Sequence, residues 1–216
     1  MTIDYSLYLV ADAGFAGGRD LVKVIESAVR GGVTIVQLRG KDLPYEDFLS
    51  LGRRASAALK KFHVPLIIND RADVALACGA AGVHLGQDDM PLRLARRVLS
   101  ENMVIGASAN TREEALDAER RGADYIGLGP VFPTASKETI LPPVGPEGIR
   151  SVKARLRIPV VAIGGITARN ALAVLQAGAD GIAVISAILG PTDTEKAARR
   201  LKNLFRGWTP MEGHHA

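Results

Sequence analysis

Four short segments of this chain repeat one pattern, and that pattern dictates an alternation of helix and strand. Gly79-Ala80-Ala81-Gly82-Val83, Gly122-Ala123-Asp124-Tyr125-Ile126 and Gly178-Ala179-Asp180-Gly181-Ile182 are close copies, and Gly31-Gly32-Val33-Thr34-Ile35 is a looser fourth. Each copy follows a helical apolar pattern and precedes a short β-branched run. Its first glycine is therefore expected to cap a helix in the left-handed conformation, after which the chain turns at once into a strand. Further strand starts lie between the copies, at Val64-Pro65-Leu66-Ile67-Ile68 and Ile158-Pro159-Val160-Val161-Ala162-Ile163, with proline at a position the first residues of a strand tolerate. Each repeat thus holds two β/α units.

Four copies of two units predict strands near residues 5 to 10, 33 to 38, 64 to 68, 82 to 85, 103 to 106, 124 to 128, 158 to 163 and 180 to 185. Nearly continuous apolar strands between amphipathic helices imply a parallel sheet covered by helices. Eight such units in 216 residues imply closure into a single (β/α)8 TIM barrel of the α/β class. The rival, an open doubly wound sheet, would carry a glycine-rich fingerprint opening its first helix, and no such motif or Walker-type loop occurs. Residues 1–208 are expected to form one catalytic domain, and 209–216, where apolar periodicity stops, a flexible tail.

The remaining composition excludes more than it suggests. No stretch nears the roughly 20 apolar residues of a membrane span, and Met1 to Gly14 lacks the basic start of a signal peptide, so a cytoplasmic protein is expected. One cysteine, Cys78, rules out an internal disulfide framework and reads as a small buried residue. The net charge of +4 suits anionic small molecules but is too small and dispersed for nucleic acid. The basic run Lys196, Arg199, Arg200, Lys202 and Arg206 has helical spacing and reads as a solvated helix face.

In a β/α barrel the loops after the strands build the site, and most of the unusual chemistry of this chain stands there. Strand 2 ends in Gln37-Leu38-Arg39-Gly40-Lys41, strand 3 in Asn69-Asp70-Arg71, and strand 4 in Gly86-Gln87-Asp88-Asp89. Strand 5 ends near Ser108, strand 6 in Gly129-Pro130-Val131-Phe132-Pro133-Thr134-Ala135-Ser136-Lys137, strand 7 in Gly164-Gly165, and strand 8 in Ile185-Ser186.

Asp70 and Asp89 close adjacent strands, and two carboxylates at a barrel mouth repel unless a cation or proton lies between them. Oxygen ligands without a Cys or His cluster fit Mg2+. The alternative is that each aspartate caps the helix after it. Arg39, Lys41 and Lys137 add cations beside the proposed metal, an arrangement that a multiply charged anion such as pyrophosphate would satisfy. Ala162-Ile163-Gly164-Gly165-Ile166-Thr167 with Gly181 to Ser186 forms the glycine-rich end after strands 7 and 8 where such barrels cradle a phosphate. The chain therefore reads as having two phosphate sites. His84, inside strand 4, is as much a barrel-interior residue as a catalytic one, and no Ser-His-Asp or Cys-His arrangement can be assembled.

The ordered set Gln37 to Lys41, Ile68-Asn69-Asp70-Arg71, Gly82 to Asp89, Gly129 to Thr134 with Lys137, and Ala162 to Ile166 resembles the thiamine phosphate synthase family along almost the whole chain. That family joins 4-amino-5-hydroxymethyl-2-methylpyrimidine diphosphate to a thiazole phosphate, releasing pyrophosphate. The resemblance implies Mg2+ on Asp70 and Asp89. It implies Gln37, Leu38, Arg39, Gly40, Lys41, Asn69, Ser108 and Lys137 around the pyrimidine diphosphate. Thr134, Ala135, Ser136, Gly165, Ile185 and Ser186 would hold the thiazole phosphate. Arg39, Lys41 and Lys137 would be the catalytic cations that stabilise the leaving group.

The family's mechanism is dissociative, so leaving-group neutralisation and water exclusion matter more than a strong base. Gly40 stands where the family commonly has an acid, Ser136 where it has threonine, and Ala11 where threonine precedes Asp12. The loop Glu138 to Gly145 is also unlike the family's usual wording. A thiazole tautomerase, a sugar-phosphate epimerase and a non-catalytic thiazole-phosphate binder are the other functions such a barrel could carry.

Overall fold

The computed structural model describes residues 3–134 and 142–208. Eight strands, β1 (Leu7–Asp12), β2 (Ile35–Arg39), β3 (Leu66–Asn69), β4 (Gly82–Leu85), β5 (Val104–Ala109), β6 (Tyr125–Leu128), β7 (Val160–Ile163) and β8 (Gly181–Val184), close into a barrel in chain order. All eight pairings, β8 to β1 included, are parallel. Outside them pack α1 (Leu21–Arg30), α2 (Tyr45–Lys60), α3 (Ala72–Cys78), α4 (Leu92–Val98), α5 (Arg112–Arg120), α6 (Gly145–Lys153), α7 (Ala171–Gln176), α8 (Ser186–Leu189) and α9 (Thr194–Lys202). No helix among the described residues is long and apolar enough to cross a membrane.

The four-fold repeat has a physical cause at the lower rim of the barrel. The third residue of each close copy and the fourth of the looser one send their N–H to the first or second carbonyl of an odd-numbered strand: Thr34 to Leu7, Ala81 to Leu66, Asp124 to Ile105 and Asp180 to Val160, at 2.7 to 2.9 Å. In three of the copies the side chain returns the bond. Thr34 Oγ1 accepts from Leu7 N at 3.1 Å, and Asp124 and Asp180 accept from Ile105 N and Val160 N at 2.7 Å. Lys153 and Arg96 neutralise these two aspartates at 2.6 Å. The geometry also corrects the alignment of the fourth copy. Gly31 has φ −76 and is not the left-handed residue expected there; Gly32, at φ 106, matches Gly122 and Gly178. A Cβ on Gly31 would fall 2.4 Å from the Glu195 carbonyl, so its smallness serves the packing of α9 against α1.

Strand alternation divides the apolar residues between two layers. Leu7, Leu9, Leu38, Ile68 and Val83 face the helices, while Tyr8, Val10, Ile35, Ile67 and Tyr125 fill the barrel interior. The helices read as expected from periodicity: α1 buries Leu21, Val24, Ile25 and Ala28 and is capped by Asp20, which accepts from Val22 N at 3.1 Å. β3 and β7 begin two residues later than predicted, because Pro65 and Pro159 supply only carbonyls, to Val36 N at 3.1 Å and Ile126 N at 2.9 Å. β5 runs three residues past its predicted end, which places Ser108 on the strand itself.

Cys78 is buried, and burial pushes its thiol up. Arg199 and Arg200 are exposed on α9, whereas Lys202 leaves the expected solvated face. It donates to Ser6 Oγ at 2.7 Å and lies 3.6 Å from the Asp4 carboxylate, tying α9 to the segment before β1. The tail 209–216 lies outside the described residues.

Candidate functional site

The C-terminal ends of the strands surround a cavity of about 310 Å³. On one side it is lined by Gln37, Arg39, Asn69 and Ser108, and on the other by Thr134, Gly165, Ile185 and Ser186. The structure thus brings together eight residues singled out in the sequence from six separate strand ends. A larger hollow of about 660 Å³ lies at the opposite, N-terminal face, around Tyr5, Lys202 and Trp208. It is far from the loops that carry the chemistry, and barrel sites form at the other end.

Alternation along β2 decides which of residues 37 to 41 can reach the cavity. Gln37 points inward with 5% exposure, while Leu38 is fully buried in the outer, helix-facing layer, so its side chain is turned from the cavity. Arg39 returns to the mouth, where the Asp12 carboxylate pairs with its guanidinium. Asp12 is itself fixed, its other oxygen accepting from Gly14 N at 2.8 Å. At Gly40 a Cβ would fall 2.8 Å from the Phe48 ring and 2.9 Å from Leu43, so a larger residue here would have to displace these side chains. Lys41 is exposed in the turn beyond.

Asp70 is a non-glycine residue at φ 62, a conformation that surrounding structure must enforce. Its N–H is tied to the His84 carbonyl at 2.8 Å, which locks the end of β3 to β4. Asp89 folds back so that one carboxylate oxygen accepts from Gly86 N at 2.6 Å. The N-cap positions of α3 and α4 are Arg71 and Pro91, and neither of these two side chains makes a cap hydrogen bond. The donor set, two carboxylates on neighbouring strand ends beside a phosphate-sized cavity, fits a hard divalent cation that completes its shell with water and substrate oxygens. Asp88, exposed, lines the cavity edge.

The glycine-rich end depends on close backbone packing. A Cβ on Gly165, at φ 63, would come within 2.5 Å of the Pro133 carbonyl. The loop after β6, which contains the cis Gly129-Pro130 bond, therefore lies against the loop after β7, with Val131 N bonded to Ile163 O at 2.8 Å. Thr134 reaches the cavity from this loop. Ala135, Ser136 and Lys137, with 138–141 of the following loop, lie outside the described residues.

Sequence reasoning missed Tyr8 and Tyr125 in the cavity floor and left His84 between a barrel-interior and a catalytic residue. Tyr8, His84 and Tyr125 line the floor, with exposures of 1%, 8% and 0%. Burial holds both tyrosine hydroxyls well above the usual phenol range, so they remain protonated donors. Two tyrosines and a histidine inside short apolar strands were the available signal, because a buried phenol needs a hydrogen-bond partner.

Residues 7–188 match the family described as Thiamine monophosphate synthase. A thiamine-phosphate synthase of Clostridium novyi is 48% identical over 204 residues, covering 94% of this chain and all of that protein. One from Chloroflexus aurantiacus is 48% identical over 202 residues, covering 94% of this chain and 93% of its own. Among solved structures, the thiamine phosphate pyrophosphorylase of Pyrococcus furiosus superposes with a TM-score of 0.86 at 39% identity, covering 94% of this chain and 96% of that one.

Proposed function

The chain belongs to the thiamine monophosphate synthase family and catalyses thiamine phosphate formation, and we propose that the mouth of its barrel does so with two phosphate-bearing substrates held at opposite ends of one cavity. The substrates in this reading are 4-amino-5-hydroxymethyl-2-methylpyrimidine diphosphate and a thiazole phosphate. The observation that carries it is the division of the cavity wall: amide, guanidinium and hydroxyl groups from β2, β3 and β5 face a glycine-rich end made by the loops after β6, β7 and β8.

In the reaction, the bond between the pyrimidine methylene carbon and the diphosphate oxygen breaks with both electrons leaving on oxygen. The thiazole nitrogen then donates its lone pair to the methylene carbon. No base is needed for either event, so the contact of His84 Nε2 with Ser108 Oγ at 3.0 Å has no proton to abstract in this reaction. Arg39, held by Asp12, presents fixed positive charge to the departing diphosphate, with Lys41 and Lys137 as further cations. Asn69 and Gln37 orient polar atoms of the pyrimidine substrate, and Ser108 donates to its diphosphate. Thr134, Ala135, Ser136, Gly165, Ile185 and Ser186 hold the thiazole phosphate, and Leu38 and Gly40 contribute backbone alone. Asp70 and Asp89 would hold Mg2+, whose chemistry when bound is neutralisation of leaving-group charge.

The curated relatives carry the synthase name across almost the whole chain, which favours coupling over a tautomerase or a non-catalytic binder. The decisive assay mixes purified protein with both substrates and Mg2+. Thiamine phosphate and pyrophosphate are expected in equal amounts, and absence of either product overturns the reading. Lys137→Ala is expected to lower turnover strongly; full turnover would show that the leaving-group end is misplaced.

A further inference from the structure

Across the cavity floor, five polar side chains from five strands stand in one unbroken row. Gln37 Nε2 donates to the Tyr8 hydroxyl at 2.9 Å, and the Tyr8 and Tyr125 hydroxyls are 2.8 Å apart. The Tyr125 hydroxyl lies 2.9 Å from His84 Nδ1, and His84 Nε2 lies 3.0 Å from Ser108 Oγ. The barrel is shaped around this row. A Cβ on Gly106 would fall 2.1 Å from the Tyr125 ring, and one on Gly127 would fall 2.8 Å from the His84 ring.

The row has a direction. Each hydroxyl owns one hydrogen and a neutral imidazole one N–H. With the Gln37 amide N–H given to Tyr8, the Tyr8 hydrogen goes to Tyr125, and the Tyr125 hydrogen to His84 Nδ1. His84 then carries its hydrogen on Nε2, aimed at Ser108. Ser108 Oγ then accepts from His84 on one lone pair, so its own hydrogen is not spent inside the barrel and can point to the mouth. The opposite polarity, starting from a Gln37 carbonyl, would consume the Ser108 hydrogen and turn oxygen lone pairs toward any anion there.

We infer that Tyr8, Tyr125 and His84 are positioning residues that fix the His84 tautomer and thereby present Ser108 as a hydrogen donor to the substrate diphosphate. This rests on the placement of the diphosphate at Ser108 proposed above. A phosphate oxygen only accepts, so a row polarised outward favours it and one polarised inward repels it. The neighbouring strands need not move for this to operate, because what varies is where four hydrogens sit and which way the Gln37 amide is turned.

Two measurements test it. The first reads nitrogen NMR shifts of histidine-labelled, substrate-free protein, with the His84 signals assigned by comparison with His84→Gln. The Nε2–H tautomer is expected in the native protein and a mixture of tautomers in Tyr125→Phe. An Nδ1–H tautomer in the native protein, or an unchanged tautomer in the variant, overturns the proposal.

The second is a kinetic cycle. Tyr125→Phe should raise KM for the pyrimidine diphosphate about tenfold, the scale of a hydrogen bond to a charged group, with KM for the thiazole phosphate unchanged. Tyr125→Phe in a Ser108→Ala background should add nothing further. Equal rises in both KM values, or additive losses, show a merely structural role. Tyr8→Phe, which cuts the row one step earlier, should change KM in the same direction and by less; no change there also counts against the row. The NMR arm needs no substrate, so a protein that forms no thiamine phosphate would remove the functional reading while the tautomer result stands by itself.

Discussion

The Asp12 carboxylate, at the end of β1, holds Gly14 N–H at 2.8 Å on one oxygen and the Arg39 guanidinium on the other. Arg39 is paired with Asp12 by strand register as well as by charge, since the two Cα positions are partners across β1 and β2. The cation that faces the cavity is therefore aimed before any substrate arrives, which lowers the ordering cost of binding an anion.

Asp12→Asn keeps an acceptor for Gly14 and removes the charge on Arg39's partner. It is expected to raise KM for the pyrimidine diphosphate about fivefold, and Arg39→Ala to raise it further. Steady-state kinetics with the thiazole phosphate saturating measures both. Unchanged KM in Asp12→Asn would show that Arg39 needs no orienting partner.

Asp70→Ala and Asp89→Ala are each expected to lower coupling by about 100-fold or more while leaving thiazole-phosphate binding intact. Titration calorimetry with thiazole phosphate and circular dichroism separate this from misfolding. Asp89→Ala should also loosen the loop after β4, because Gly86 N–H loses its acceptor. Activity that persists in excess chelator would remove the metal assignment.

Gly106→Ala should destabilise the fold by roughly 1 to 3 kcal/mol, as overpacked cores do, because its Cβ would fall 2.1 Å from the fully buried Tyr125 ring. Urea unfolding measures it. Adding Tyr125→Phe should relieve little of the strain, since it removes the hydroxyl oxygen but leaves the nearest ring carbons; Tyr125→Leu should relieve more.

Burial raises the folded-state phenol pKa of Tyr8, Tyr125 and Tyr5 above the value of the unfolded chain. Below about pH 10 folded and unfolded chains bind these protons equally, so the stability is fully present there. Above it the unfolded chain loses protons that the folded one keeps, and stability falls by about 1.4 kcal/mol per pH unit for each phenol. Tyr8→Phe should therefore show a shallower decline between pH 10 and 11 than the native protein. Identical slopes would mean that Tyr8 ionises in the folded state as readily as in the unfolded one.

The sequence by itself determined the barrel and the end at which its chemistry lies. A glycine followed two places on by Asp124, Asp180 or Thr34 encodes a local event, a chain reversal and a rim hydrogen bond to the neighbouring strand. Local events of fixed spacing are legible without coordinates. The strand-end residues Gln37, Arg39, Asn69, Ser108 and Ser186 were legible for the same reason, because fold and position together aim them at one mouth.

What only the tertiary structure decided was which neighbours meet inside. Pleating sends Leu38 outward from between Gln37 and Arg39, and three-dimensional closure brings Tyr8, His84 and Tyr125 from three distant stretches of chain into contact. Read singly, Tyr8 and Tyr125 sit in apolar strands and look like core, and His84 reads equally as core or as catalytic. Their hydrogen bonds depend on the barrel's register and on two glycines, Gly106 and Gly127, that leave room for the rings. A pattern of sequence spacing carries no record of contacts made across the barrel axis, and that is where the floor of the site was made.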